Sequence, residues 1–111
     1  MEEIKLTKGD SLNFIFEIEE TRQDLESCFF TCVKNKSDTN YVFIKTLNNG
    51  IKKIKTTGNS IVYSVRVAPE DTKNLEGTEY FAELKIKIDN DVFTPFQVIL
   101  KFIDSIYKGV V

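Results

Sequence analysis

The segment PEDTKNLEGTEYFAELKIKI, residues 69–88, decides the fold expected for this chain. It starts with a proline and two acidic residues, which suit the first turn of a helix because the N–H groups there lack partners and carry partial positive charge. Gly77 follows soon and can adopt the left-handed conformation that ends helices, so we predict one short helical turn near residues 69–75. From Tyr80 to Ile88 apolar residues alternate with mostly charged ones, with Phe81 as the apolar exception on the outward side. This period of two is typical of a half-buried strand.

The same alternation recurs along the rest of the chain. Asn49-Gly50 predicts a hairpin, because both residues tolerate positive φ. Asp89-Asn90-Asp91 predicts a tight turn, and calcium binding is the less favoured alternative because no spaced glutamate completes a site. Pro95 cannot donate to a sheet, so it marks an edge, a bulge or a break. About seven to nine short strands with frequent turn signals indicate an all-β sandwich. Further strands are predicted around residues 4–6 and over residues 11–19, 27–34, 41–47, 51–55, 60–67 and 92–103.

A length of 111 residues allows one domain with one core, which we place at residues 1–104, followed by a C-terminal tail at 105–111. The alternation predicts that the inward side chains of several strands meet in that core. Leu25 is expected to reach the core from a loop at residues 20–26. The core residues predicted to be buried together are Phe14, Phe16, Phe30, Val65, Leu84 and Val98.

Charge and hydropathy limit the partners. A formal net charge of −2 lacks the basic excess that nucleic acids or anionic membranes attract, so neither is expected as a partner. Lys52, Lys53 and Lys55 are interpreted as guards of an exposed sheet edge, with nucleic-acid binding as the weaker alternative. No apolar run reaches the ~20 residues of a membrane span. The first ten residues lack the features of a secretory signal, so we expect synthesis and retention in a cytoplasm unless a larger particle carries the protein out.

The residue types present argue against catalysis. With no histidine, imidazole-based acid–base and triad chemistry is excluded, and the scattered glycines form no phosphate-binding loop. Cys28 and Cys32 fall on one predicted strand, about 13 Å apart, too far for a disulfide with each other, which needs Cα atoms within about 7 Å. We predict two buried, reduced thiols, with an intermolecular bridge as the alternative. No enzyme activity, catalytic residue, cofactor or metal is expected.

Several segments together resemble a known family. Lys8-Gly9-Asp10 forms a turn after the first strand, Asp24-Leu25 ends the loop after the second strand, and the later hallmark is Pro69-Glu70-Asp71-Thr72 followed by Leu75, Gly77 and Tyr80. In this order and spacing they resemble the immunoglobulin-like domains at the start of phage upper-baseplate proteins. The same domains occur as small stand-alone proteins in phages and prophages of low-GC Gram-positive bacteria. The resemblance covers nearly the whole chain.

The resemblance implies an immunoglobulin-like antiparallel β-sandwich. Its structural corner would consist of Pro69, Leu75, Gly77 and Tyr80, with the tyrosine hydroxyl bonded to backbone near residues 69–75. It implies a non-enzymatic structural module of the tail, baseplate or capsid that binds other virion proteins or itself, possible as a homo-oligomer. Such a protein would be made in the bacterial host cytoplasm and become part of the virion. Two alternatives remain: a small intracellular binding protein that inhibits or modulates a host factor, and a carbohydrate-binding adhesion module. The stacking groups of such a module would be Tyr41, Tyr80 and Tyr107, with a structural role favoured for Tyr80.

The sequence also suggests an interface. Phe29 and Val33 place apolar side chains on the outward side of their strand, and the last strand is apolar on both faces near Ile99 and Ile103, with only Lys101 as a guard. Exposed apolar area usually marks a partner site, and an unguarded edge invites strand addition. We therefore predict an interface there. The alternative is that residues 104–111 fold back and cover this region.

Overall fold

The computed structural model describes residues 1–19, 23–109 and 111, and their regular secondary structure is almost entirely β-strand. Eight strands and one helical turn confirm the predicted all-β class and strand number. Part of the loop expected at residues 20–26 and Val110 of the tail lie outside the described residues. The elements are β1 (Glu2–Thr7), β2 (Leu12–Glu19), β3 (Ser27–Val33), β4 (Phe43–Leu47), β5 (Gly50–Thr56), β6 (Ser60–Val67), α1 (Pro69–Thr72), β7 (Glu79–Ile88) and β8 (Asp91–Ile103).

These strands form a single mixed sheet that curls on itself. This corrects the expectation of an antiparallel arrangement, because β1 pairs in parallel with β8 and β4 pairs in parallel with β5. Its order is β1-β8-β7-β3-β4-β5-β6-β2. Although β4, β5 and β6 lie between β3 and β2 in this order, the rings of Phe14 on β2 and Phe30 on β3 are only 5.4 Å apart. The sheet therefore folds into two facing layers. One layer contains β1, β8, β7, β3 and β4, and the other contains β5, β6 and β2.

The core lies between the layers and is centred on Phe30, whose ring also lies near Phe43 and Phe96. Four of the predicted core residues, Phe30, Val65, Leu84 and Val98, are buried. Leu25 reaches the same core from its loop, as predicted. Phe14 and Phe16 are only half-buried. This corrects the expectation, and the reason is that β2 ends the described sheet, where β6 is its one neighbouring strand.

Two predicted turns had different outcomes. Asp89 and Asn90 link β7 and β8 with φ of 52° and 66°, as a tight two-residue hairpin requires, so that turn is confirmed. The hairpin predicted at Asn49-Gly50 is wrong, because β4 and β5 pair in parallel through only two residue pairs. Asn48 and Gly50 both adopt positive φ there, and the chain passes from one layer to the other.

The helical turn α1 is shorter than predicted. It ends at Thr72, and the right-handed Lys73 follows it. Gly77 does have a positive φ of 81°, but it lies beyond this end and shapes the entry into β7. At the start of α1, Asp71 accepts a 2.7 Å hydrogen bond from the Ala68 N–H group. That contact satisfies one of the backbone donors that a helix start leaves without a partner.

The edge expected at the last strand is absent. β1 pairs in parallel with β8 from Glu2–Val98 to Thr7–Ile103, and β7 pairs with its other side. Residues 98–101 are therefore paired on both sides, so the free edge expected there is wrong. Local alternation cannot reveal this partner because it lies at the opposite end of the sequence.

Two further predictions concern irregular strand pairing. The register between β7 and β8 shifts between Leu84 and Ile86, opposite the segment that contains Pro95, so of the predicted alternatives Pro95 marks a bulge. Beyond Ile51, β5 pairs only with β6. The lysines of β5 therefore lie on a partly free edge, as predicted.

Candidate functional site

The Lys8-Gly9-Asp10 turn is attached to α1. The Gly9 N–H group donates a 2.9 Å hydrogen bond to the Thr72 hydroxyl, 63 residues away in sequence, and Thr72 is buried. Gly9 has a φ of 83°, and a Cβ at this position would lie 3.5 Å from the Lys73 Cβ. Positive φ favours glycine because it has no Cβ to clash with the backbone. The two motifs thus form one structural unit.

Tyr80 holds the neighbouring corner. Its side chain is buried, its hydroxyl donates to the Glu76 carbonyl, and its ring meets Phe102 edge-on at 5.7 Å. That carbonyl lies one residue beyond the predicted range. Burial raises the pKa of the Tyr80 hydroxyl because it disfavours the phenolate.

The other three predicted corner residues lie close by. Pro69 is the first residue of α1, Gly77 adopts positive φ, and the Leu75 N–H group donates to the Thr72 carbonyl at 3.2 Å. Leu75 also packs against the core. The contacts of these corner residues support the fold and present no reactive group to solvent.

The outer face of the β3–β7–β8 layer carries a row of apolar side chains. Phe81 on β7 lies opposite Val33 on β3 and opposite Ile99 on β8. All three alternate with buried residues and are half-exposed. We call Val33, Phe81 and Ile99 the outer apolar row. Two of its members, Val33 and Ile99, were predicted from sequence as interface residues, and Phe81 lies between them. Phe81 could have been recognised from sequence because it is apolar on the outward side of its strand.

The other two predicted interface residues lie apart from this row. Phe29 is 40% exposed on β3 but stands opposite Lys85 and Thr46. Ile103 is 59% exposed at the end of β8, opposite Thr7. The four residues therefore do not form one patch.

A groove of about 230 Å³ adjoins the outer apolar row. Val33 and Phe81 contribute its apolar wall, and the Lys36 ammonium lies 5.4 Å from the Phe81 ring centre, within cation–π range. Glu83 and Gln97 contribute polar atoms and bond to each other at 2.9 Å. Tyr41, which is 57% exposed, lines the same groove. The groove therefore combines apolar, aromatic and hydrogen-bonding groups.

Groups capable of chemistry are sparse in the described part of the chain. Across residues 1–19, 23–109 and 111, no group of three His, Cys, Asp or Glu side chains is placed to hold a metal ion. Cys28 and Cys32 are free and buried, and burial raises the pKa of each thiol to about 12. Since the thiolate is the nucleophile, these thiols are unreactive at neutral pH. Among the described helices, none has the length and apolar character needed to cross a membrane.

Ile15 is an exposed apolar residue that the sequence prediction did not single out. It lies in the middle of β2 on the outward side and is 67% exposed. The sequence could have revealed it, because this isoleucine occupies an outward position in a strand whose other outward residues are polar. Because β2 ends the described sheet, Ile15 exposes apolar surface next to a sheet edge.

No protein-family model and no curated protein matches the chain.

Proposed function

We propose that the protein is a non-enzymatic structural and interaction module of a phage or prophage particle, an adaptor or decoration of the tail, baseplate or capsid. The observation that carries this proposal is the hydrogen bond from Gly9 to Thr72. Lys-Gly-Asp and Pro-Glu-Asp-Thr are hallmarks of the phage family that the chain resembles. Because the two motifs contact each other directly, one structural role explains why both occur in the same chain. This favours a true relationship to the family over chance similarity of two short sequences.

The strand pairing supports the same kinship. β2 pairs with β6 and β6 with β5, while β3 pairs with β7 and β7 with β8. Seven-stranded immunoglobulin-like sandwiches group the second, fifth and fourth strands in one sheet and the third, sixth and seventh in the other. The same grouping results here when β4, which pairs with β3, is counted as an additional strand. Tyr80 stands at the start of β7 and bonds to upstream backbone, as the corner tyrosine of such domains does.

The surface proposed to meet another particle protein is the outer apolar row. Val33, Phe81 and Ile99 form adjacent contacts across three strands, and Lys36 and Glu83 beside them offer both charges for a polar rim. An apolar centre with polar surroundings is the usual composition of a protein interface. Attachment of this kind requires no catalytic group.

Quantitative mass spectrometry of purified particles tests the proposal. We expect the protein in a constant ratio to the tail or capsid proteins, because a particle component is incorporated at fixed copy number. Ile99→Lys should reduce that copy number, since it places a charge in the outer apolar row, whereas Ile103→Lys, outside the row, should leave it unchanged. Finding the protein only in the infected cell, and never in particles, would refute the particle role.

Carbohydrate binding is a second candidate, favoured by Tyr41 beside Glu83 and Gln97 in the groove. An exposed ring for stacking together with polar groups suits a sugar. Calorimetry with purified host cell-wall polysaccharide would test it. Tyr41→Ala should remove binding, and Tyr107→Ala should not, because Tyr107 lies in the tail and does not line this groove.

A further inference from the structure

The outer edge of β2 is an unguarded sheet edge. β2 pairs with β6 from Leu12–Val67 to Glu19–Ser60 without a register shift, and it ends the strand order of the described chain. Its sequence, LNFIFEIE, contains no lysine, arginine or proline. The opposite end of the sheet differs in carrying Lys5 besides Glu2 and Glu3, whereas the charged residues of β2 are Glu17 and Glu19, and its first five residues are uncharged. Sheet edges without such guards are open to pairing with another strand.

Among the described residues, no strand lies beside β2 on that side. The inward residues Leu12, Phe14, Phe16 and Ile18 are only half-buried, although they pack against the core. On the outward side, Ile15 is 67% exposed. A further strand beside β2 would bury both sets of apolar atoms and form hydrogen bonds with the backbone groups on the outer side of β2.

We propose that two copies of this chain pair through β2 in antiparallel orientation, with Ile15 on the two-fold axis. Directly opposed residues of an antiparallel pair point to the same face of the sheet. The inward residues of one copy must therefore oppose the inward residues of the other. Centring the pair on Ile15 meets this condition: Phe14 opposes Phe16 of the second copy, Leu12 opposes Ile18, and Ile15 opposes Ile15.

The charges fit this register as well. Glu17 opposes the uncharged Asn13 of the second copy, and Arg66 is the neighbour of Asn13 on β6. With strands about 4.8 Å apart, the Arg66 backbone of the second copy lies roughly 10 Å from that of Glu17, within reach of two long side chains. A pair centred on Glu17 would instead place two carboxylates opposite each other, and one centred on Phe16 would oppose Ile15 with Glu17. Self-complementarity in one register favours a second copy over an unrelated strand.

The resulting layer would be continuous across both copies, in the order β5-β6-β2-β2-β6-β5. This pairing does not depend on the particle role, because it uses the opposite layer from the outer apolar row. A failure of either proposal therefore leaves the other standing.

Cysteine cross-linking tests the pairing and its register. In the proposed dimer two copies of Ile15→Cys have their Cα atoms within about 6 Å, a distance that a disulfide spans. Cys28 and Cys32 are buried with pKa values of about 12, so the introduced thiol is the reactive one. We expect Ile15→Cys to form a disulfide dimer under mild oxidation much faster than Ile54→Cys, an exposed isoleucine position on β5. A mixture of Asn13→Cys and Glu17→Cys should form the heterodimer, while each alone should not cross-link.

Sedimentation measures the association without a cross-link. The unmodified protein should dimerise, and Ile15→Lys should weaken the dimer by about tenfold or more because it sets two ammonium groups opposite each other. Ile54→Lys should dimerise normally. The proposal is overturned if the protein stays monomeric at its highest soluble concentration, or if Ile15→Lys leaves the dimer intact. It is also overturned if removing residues 105–111 dissolves the dimer, since the tail would then be the exchanged segment.

Discussion

The Lys45 ammonium lies 2.7 Å from the Asp71 carboxylate and joins β4 to α1. Both side chains are largely withdrawn from solvent, at 16% and 18% exposure. The same Asp71 oxygen accepts the hydrogen bond from the Ala68 N–H group. One carboxylate therefore caps the helical turn and attaches it to the sheet.

Asp71→Ala should lower the free energy of unfolding by roughly 2 kcal/mol, because it removes the cap and leaves the Lys45 ammonium without its partner. Asp71→Asn should cost less, since an amide oxygen can still accept from Ala68. Denaturant unfolding measures both. Glu70→Ala is the matched control: Glu70 is exposed in the same turn, and its loss should change stability by less than about 0.5 kcal/mol. Equal effects at positions 70 and 71 would contradict the role given to Asp71.

Gly9→Ala should destabilise the fold by about 1 kcal/mol or more, because it forces a side chain into positive φ beside Lys73. Thermal unfolding provides the measurement. Gly58→Ala is the control, since a Cβ there would meet no atom within 4 Å and its φ is not positive. If the two variants have the same unfolding temperature, the positive φ of Gly9 is not essential for stability.

Tyr80→Phe removes the hydroxyl that donates to the Glu76 carbonyl and keeps the ring against Phe102. We expect a loss of roughly 1 kcal/mol in the free energy of unfolding. Tyr41→Phe changes an exposed hydroxyl and should have little effect. A Tyr80→Phe variant as stable as the original protein would show that the ring alone holds the corner.

The two thiols should make stability fall at alkaline pH. Their pKa is about 12 in the folded protein against 9.0 for the unperturbed group, so below pH 9 both are protonated in both states. Above pH 9 the unfolded chain loses these protons and the folded protein keeps them, so stability decreases as the pH rises toward about 12. A variant with both Cys28→Ala and Cys32→Ala should show a shallower decline.

A thiol reagent provides an independent check at neutral pH. It should modify Cys28 and Cys32 only after unfolding, because both are buried in the folded protein. Modification of the folded protein as rapid as that of the unfolded chain would contradict this assignment.

Local sequence patterns predicted the strands well, because burial of one face imposes a period of two. Ser60–Val67 was predicted with its observed limits, and its inward residues are buried as expected. The same patterns could not predict which strands pair. The Asn49-Gly50 hairpin failed because residues tolerant of positive φ fix a turn but not the direction in which the chain leaves it.

The candidate surface was predictable only in part, because alternation shows which residues face outward but not which strands are neighbours. Val33 and Ile99 meet through Phe81 because β3, β7 and β8 are neighbours, which alternation alone does not specify. Ile103 was placed on a free edge only because the pairing of β8 with β1 was unknown. Once the strand order is known, the unguarded edge lies at β2.

The parallel pairing of β1 with β8 has a consequence for the order of folding. The N–H group of Lys8, directly after β1, donates to the carbonyl of Ile103, which lies near the other end of the sequence. During synthesis β1 therefore has no partner until residues 98–103 have left the ribosome, and Ile4 and Leu6 cannot pack against the completed core before then. Contacts between such distant residues slow folding and lengthen the exposure of apolar strands. Aggregation should therefore compete with folding mainly before β8 is in place.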